Sequence, residues 1–328
     1  MNPKLYLTDP GIYKNSQGYR YHSNDRKVTD PKTLTRLNTF VVPPAWTSVW
    51  YASKPQCHIQ VHGIDQGGKK QYILSPEWIN SQTDSKFKRM KTFVRKIGSF
   101  KQLISLDKYN SGLLKWDFNN KQNLIFLLFN LLLDTHIRVG NEIYADNNKT
   151  YGLTTLRQKH LIPITTGTGT VDYQFSFIGK SNQKHQIEVP MKYKHLISQF
   201  ITSKKSDPLF YFYPLGGTKQ TISSEELNNC LKGYIGDEYT CKDFRTYSAN
   251  VIFINSFLKN TKKNNKPVTD LIDKIILKSI NESAEKLGHT KTISKKNYIS
   301  NKLVDFILSS PEEAVQSSSS ALLSKLWT

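Results

Sequence analysis

The stretch Leu287-Gly288-His289-Thr290-Lys291-Thr292-Ile293-Ser294-Lys295-Lys296-Asn297-Tyr298-Ile299-Ser300-Asn301-Lys302 decides how the C-terminal half of the chain is read. It has helical grammar. Ser294 offers an N-cap, and Ile299, Leu303, Phe306 and Ile307 then recur along one apolar face. On that reading Tyr298 lies one turn into a helix. The stretch is also basic, with His289, Lys291, Lys295, Lys296 and Lys302 around a single tyrosine. A phenol with an ordinary pKa of about 10 is a poor nucleophile at neutral pH, so a tyrosine that does chemistry needs cations close by. Read alone, Tyr298 is better explained as a half-buried packing residue with a wet hydroxyl. Basic constellations upstream bear on that choice.

Working back from this stretch, Asp270 to Leu287 reads as an amphipathic helix and Asn260 to Lys266 as a basic polar linker. Cys241 to Tyr247 leads into an apolar helix, Ala249 to Leu258, which puts Lys242 and Arg245 one turn apart at its start. Two cations at a helix N-terminus oppose the macrodipole, a mildly costly arrangement that asks for a reason. Ser224 to Leu231 begins another helix, and Tyr193, Leu196, Ile197 and Phe200 share one helical face. Val171, Tyr173, Phe175 and Phe177 alternate with polar residues, and Ile187 to Val189 returns, so the segment between is a hairpin tip bearing Lys180. A lysine there ordinarily just solubilises an edge. Lys121 to Ile137 is almost continuously apolar, a buried helix at the centre of its domain. Gly140, in Arg138-Val139-Gly140-Asn141, is its expected C-terminal stop. Arg138 would then be held by the helix end, where a favourable dipole interaction explains it equally well.

The N-terminal part is different. From Met1 to about Trp78 the chain is rich in Tyr, Val, Ile, Pro and Gly, with alternating runs at His58 to His62 and Lys70 to Leu74 joined by Asp65-Gln66-Gly67-Gly68. A helix is expected around Pro31 to Leu37, and Pro43-Pro44 ends any regular element. His58 and His62 read as surface residues of an edge strand, with no third ligand to make a metal site. Beyond Ser75 the spacing becomes helical, with Phe87, Met90, Phe93, Val94 and Ile97 inside and Lys86, Lys88, Arg89, Lys91, Arg95 and Lys96 outside. The expected domains are therefore 1–80, small and β-rich, and 81–328, larger and mainly helical with a β-hairpin, an α+β chain overall. The tail from Gln316 holds Leu322, Leu323, Leu326 and Trp327 and is left open between a docked helix and a loose end.

With 46 Lys and Arg against 26 Asp and Glu, the net charge is +20, the mark of a protein that meets a polyanion. Nucleic acid comes first. A membrane surface would call for a basic amphipathic or lipidated end, and neither end offers one. The longest apolar run, Leu124 to Leu133, is too short for a bilayer, which needs about 20 residues. Met1 to Pro10 is polar and proline-broken, so no secretory leader is expected. Cys57, Cys230 and Cys241 form neither a disulfide framework nor a metal spacing, and fit an intracellular protein with reduced thiols.

Arg138, Lys180, Lys242-x-x-Arg245, His289 and Tyr298, in that order, resemble the active-site set of type IB DNA topoisomerases, most closely the small enzymes of poxviruses and other large DNA viruses. The resemblance runs through nearly the whole chain. It takes in Thr35-Arg36-Leu37-Asn38, Pro43-Pro44-Ala45-Trp46, Gly68-Lys69-Lys70-Gln71-Tyr72, Arg138-Val139-Gly140-Asn141, Tyr151-Gly152-Leu153-Thr154-Thr155-Leu156, Phe177-Ile178-Gly179-Lys180, Phe244-Arg245-Thr246-Tyr247 and Gly288-His289-Thr290. Each fragment is weak alone, and their shared order is what weighs.

The resemblance implies a tyrosine recombinase/topoisomerase IB catalytic fold and a set of roles. Tyr298 is the nucleophile that forms a 3′-phosphotyrosyl bond, Arg138 and Arg245 clamp the phosphate, His289 donates a further hydrogen bond, and Lys180 protonates the leaving 5′-oxygen. Lys69, Lys70, Gln71, Tyr72, Tyr144 and Lys242 are implied DNA contacts. The implied partner is double-stranded DNA, held by a monomer that clamps around the duplex. No metal, no cofactor, no ATP and no membrane are expected. A viral member would be DNA-associated, in the virion and the host-cell replication compartment. Two other classes of protein share part of this pattern. A tyrosine site-specific recombinase shares the residue set, but its second arginine usually follows a His-x-x-Arg box where this chain has Lys242-x-x-Arg245. A non-catalytic basic DNA-packaging protein explains the charge but not the spacing.

Overall fold

The computed structural model describes residues 5–165, 171–262 and 268–325. Leu326, Trp327 and residues 263–266 of the expected linker lie outside these residues. The chain divides into two compact units, residues 1–86 and 87–328. The architecture is α+β, an antiparallel sheet followed by a mainly helical unit.

The first unit holds β1 (Ile12–Asn15), β2 (Gly18–Tyr21), α1 (Pro31–Asn38), β3 (Thr47–Tyr51), β4 (Ile59–Ile64) and β5 (Lys70–Leu74), the strands forming one sheet of order β2-β1-β3-β4-β5. Helix α1 starts where it does because Asp30 caps it, accepting the Thr33 N–H at 2.8 Å, with Pro31 in the first turn. The β4–β5 turn is closed by Asp65, whose Oδ1 accepts the N–H groups of Gly67 and Lys69, each at 2.9 Å. Gly68, at φ 72°, supplies the left-handed step. Ile12, Leu37, Tyr51 and Val61 close a small core. Strand β4 is interior to the sheet, so His62 is not an edge residue. His62 stacks on Trp50 across the ladder, and His58, one residue before the strand, packs against Trp78.

Helix α2 (Pro76–Leu103) runs 28 residues, beginning ten residues before the basic run at Lys86. Its buried face is Phe87, Met90, Phe93, Ile97 and Phe100. After α3 (Asp107–Asn110) comes α4 (Lys121–Thr135), apolar on all sides and buried accordingly. Asn130, its one polar interruption, is satisfied by donating to the Ile104 carbonyl at 2.7 Å. The helix stops earlier than expected. His136 adopts the left-handed C-cap conformation at φ 57°, so Arg138 lies in an extended segment past the helix rather than on it. Helix α5 (Glu142–Asn148) follows.

Strands β6 (Leu161–Thr165), β7 (Val171–Ile178) and β8 (Lys184–Glu188) make an antiparallel sheet of three. The expected hairpin is β7–β8. Strand β6 was not expected from the sequence, because Pro163 stands in the middle of Leu161-Ile162-Pro163-Ile164 and argues against a strand there. Then come α6 (Lys194–Ser198), α7 (Ser224–Ile235), α8 (Cys241–Lys262), α9 (Val268–Leu287), α10 (Lys291–Asn297), α11 (Asn301–Ser309), α12 (Pro311–Gln316) and α13 (Ser319–Lys325). Helix α8 begins at Cys241, eight residues before the apolar run that predicted it. The described part of the tail, through Lys325, docks with Leu322 fully buried.

The opening stretch is two helices, not one. Thr290 caps α10 through the Ile293 N–H, and Ser294 is a buried residue inside it. Tyr298 is the residue after α10, and the apolar repeat Leu303, Phe306, Ile307 belongs to α11. No described helix is long and apolar enough to cross a membrane.

Candidate active site

The site is built around helix α8. Lys242 and Arg245 stand in its first turns, as expected, and the cost of two cations there is offset by Asp243 between them. Asp243 is buried, its carboxylate accepts the Thr240 N–H at 2.8 Å, and it pairs with Arg89 of α2 at 3.1 Å. Lys242 is exposed, whereas Arg245 is only 5% exposed. The Arg245 guanidinium donates to the carbonyl of His136 and to that of Leu287, the latter at 2.7 Å. The two carbonyls belong to the end of α4 and the end of α9, so one fork ties three helices. Burial, then the charge of Arg138, brings its pKa down to about 10.

Tyr298 packs over this fork. Its ring is 8% exposed, with the Arg245 Cζ 5.8 Å from the ring centroid. Burial pushes the phenol pKa up, but the charge and hydrogen bond of Arg245, with Arg138 and Lys242 behind it, outweigh that and leave it below the ordinary value. His289 lies flat on the same ring, centroids 4.8 Å apart and planes within 6°. Its Nδ1 faces the Thr290 carbonyl at 3.3 Å. A carbonyl only accepts, so the proton of the neutral ring sits on Nδ1 and Nε2 is the bare nitrogen. Burial and the two arginines hold the His289 pKa at about 4, so the ring is neutral at pH 7. Two polar atoms in this cluster, Arg245 Nε and His289 Nε2, are buried with no hydrogen-bond partner among the described residues.

Arg138 reaches the cluster from its own extended segment. That segment is laid against Gly152 to Thr154, with the Leu153 N–H donating to the Arg138 carbonyl at 2.8 Å and the Thr154 N–H to that of Val139 at 2.7 Å. The approach is possible only because residue 152 has no side chain: a Cβ there would lie 2.5 Å from the Arg138 carbonyl oxygen. Lys180 is exposed at the tip of the β7–β8 hairpin, in a turn where Ser181 and Asn182 adopt φ of 61° and 56°. Arg138, Lys180 and Arg245 line one small cavity together with His185 and Lys286.

The structure thus gathers Tyr298, Arg245, His289, Arg138 and Lys180 within the second unit. Tyr144, on α5, is 52% exposed. Lys69, Lys70, Gln71 and Tyr72 lie in the first unit, on or beside β5; the Lys70 ammonium sits over the Tyr72 ring at 5.8 Å, and the Gln71 carboxamide donates to Asp65 at 2.7 Å. Among the described residues no cluster of three potential metal ligands occurs. One participant escaped the sequence reading. Asn250, fully buried on α8, donates to the Tyr298 carbonyl at 2.9 Å and accepts the Ser300 N–H at 3.0 Å, fixing the backbone on both sides of Ile299. A carboxamide inside an apolar helix five residues past Arg245 was a signal that could have found it.

The second unit thus holds a buried tyrosine packed against Arg245 and His289, with the charge of Arg138 acting on its phenol. Two family models match the chain. That of the eukaryotic DNA topoisomerase I catalytic core covers residues 75–316, and that of the bacterial DNA topoisomerase IB N-terminal domain covers residues 18–65. The chain belongs to the type IB DNA topoisomerase family and is an enzyme of that class. Among individual relatives, DNA topoisomerase 1B of Acanthamoeba polyphaga mimivirus is 32% identical over 310 residues, 92% of this chain and 89% of that protein. DNA topoisomerase 1B of Vaccinia virus (strain Copenhagen) is 28% identical over 250 residues, 75% of this chain and 71% of that protein.

Proposed function

We propose that this enzyme relaxes supercoiled duplex DNA by transient cleavage of one strand through Tyr298. The observation that supports this best is the packing of the Tyr298 ring against the Arg245 guanidinium and the His289 imidazole, an arrangement whose charges favour the phenolate. The Tyr298 oxygen attacks a backbone phosphorus, the bond to the 5′-oxygen breaks, and a 3′-phosphotyrosyl bond forms. Its energy is kept for resealing, so no ATP is consumed. The phenol proton leaves to solvent and Lys180 supplies a proton to the departing 5′-oxygen. Arg138 and Arg245 take the two non-bridging oxygens, with Arg245 Nε among the donors available for them.

His289 acquires its role on binding. A neutral ring with its proton on Nδ1 cannot donate from Nε2, but a phosphate anion beside it favours the protonated form and raises its pKa. Side-chain cations do here what a bound divalent ion would do elsewhere, so the reaction runs without metal. Lys242, Tyr144 and the β4–β5 region with Lys69, Lys70, Gln71 and Tyr72 contact the duplex, and a monomer encloses it. Recombination would need a synaptic tetramer and two duplexes.

Supercoiled plasmid incubated with the enzyme in EDTA without ATP tests the reading. Relaxed topoisomers without recombinant product are expected. Plasmid that stays supercoiled, or that relaxes only when magnesium or ATP is supplied, would overturn it.

A further inference from the structure

The catalytic hairpin has a second feature besides Lys180. His185 stands on β8 opposite Phe177, and its imidazole stacks on the Phe177 ring with centroids 5.0 Å apart and planes at 21°. From there the ring meets two glycines. A Cβ on Gly179, the neighbour of Lys180, would lie 2.7 Å from its Cδ2 and Nε2. A Cβ on Gly288, the neighbour of His289, would lie 2.4 Å from its Cε1. Both separations are shorter than real Cβ contacts, so the backbone on each side is moulded to this ring. The ring also lines the cavity shared by Arg138, Lys180 and Arg245.

Lys180 is exposed on a four-carbon stem, and its turn is closed by the Gly179 N–H donating to the Gln183 carbonyl at 2.8 Å. Where its ammonium can reach is therefore set by where the hairpin tip docks. We propose that His185 is a positioning residue, its ring bridging Gly179 and Gly288 and so fixing the distance from the Lys180 tip to the His289–Tyr298 pair. The inference rests on the reading of Lys180 as the general acid. A planar group filling both gaps is required, and one that stays neutral beside Arg138 and Arg245 does so without repelling them.

The test compares two suicide duplexes in single turnover, one with the natural 5′-oxygen leaving group and one with a 5′-thiol, which departs without being protonated. Wild type, Lys180→Ala and His185→Ala are run side by side, with noncovalent duplex binding and thermal midpoint measured for each. Loss of positioning is expected to slow His185→Ala on the order of 100-fold on the oxygen substrate. On the thiol substrate it should return to within about threefold of wild type, as Lys180→Ala does. Equal slowing on both duplexes, or no slowing on either, overturns the proposal. If Lys180→Ala is itself not rescued by the thiol, the general-acid reading falls and this inference with it. Rescue of Lys180→Ala alone would sink only the role of His185. Should His185→Ala fold poorly, His185→Leu, which keeps side-chain bulk on the hairpin but has no planar ring to fit against Gly179 and Gly288, is judged by the same outcomes.

Discussion

Arg245 spends two of its donors on backbone carbonyls and keeps its remaining edge toward Tyr298. A lysine in its place would preserve the charge but could not bridge α4 and α9 while also facing the phenol, because an ammonium has no rigid fork. Arg245→Lys is therefore expected to slow covalent adduct formation on the order of 100-fold in single turnover. An unchanged rate would show that charge alone is enough. His289 gives a second expectation. Gln offers an amide donor with no need of protonation, so His289→Gln should cleave faster than His289→Ala and should lose the fall in the wild-type rate that comes as pH rises and His289 gives up its proton. Equal rates for the two variants would remove the hydrogen bond from the account. At this scale the sequence was informative where a charged residue broke a local rule, as Lys242 and Arg245 do at a helix N-terminus. It was silent about their partners, since the His136 and Leu287 oxygens belong to the backbone and carry no residue signature.

Three elements meet at the nucleophile, and Asn250 joins two of them. Replacing it by Ala removes the hydrogen bonds that Asn250 makes to the Tyr298 carbonyl and to the Ser300 N–H in a fully buried position. Asn250→Ala should cost about 2 kcal/mol in urea unfolding and should also slow cleavage; a change in stability with no change in rate would make it a core residue only. The helix boundaries were the least legible part. The sequence placed Tyr298 inside a helix because Ser294 is a good capping type, but Thr290 holds that position, and a break at Tyr298 lets its backbone turn to Asn250. Likewise Gly140 was taken for the end of α4, whereas His136 ends it and Gly140, at φ 109°, allows the close packing against Thr154 and Thr155. Tertiary packing, not local propensity, chose both ends.

Buried histidines also set an acid limit on these elements. His136 and His160 are each held at about 4 in the fold, chiefly by burial, against an ordinary value near 6.5. Between those values the unfolded chain binds protons that the fold refuses, so stability is full above about pH 6.5 and is lost as pH falls toward 4. The thermal midpoint should drop between pH 7 and pH 5, and substituting His136 by Gln should flatten that dependence. A midpoint that rises on acidification would contradict it.

For the whole molecule, the +20 charge and the α+β order of a small sheet unit before a helical one were legible from composition and periodicity, because neither depends on exact boundaries. Duplex binding should weaken steeply with salt as phosphates lose condensed counterions, by about three orders of magnitude or more between 50 and 200 mM if six or more phosphates are neutralised. A flat salt response would mean that the charge serves something other than DNA. Enzyme mixed with plasmid DNA, quenched with detergent and digested should yield a single nucleotide-bearing peptide, modified at Tyr298 through a 3′-phosphate, and Tyr298→Phe should bind duplex yet yield none. An adduct of undiminished yield in the Phe variant, or one mapped to another residue, would contradict the account.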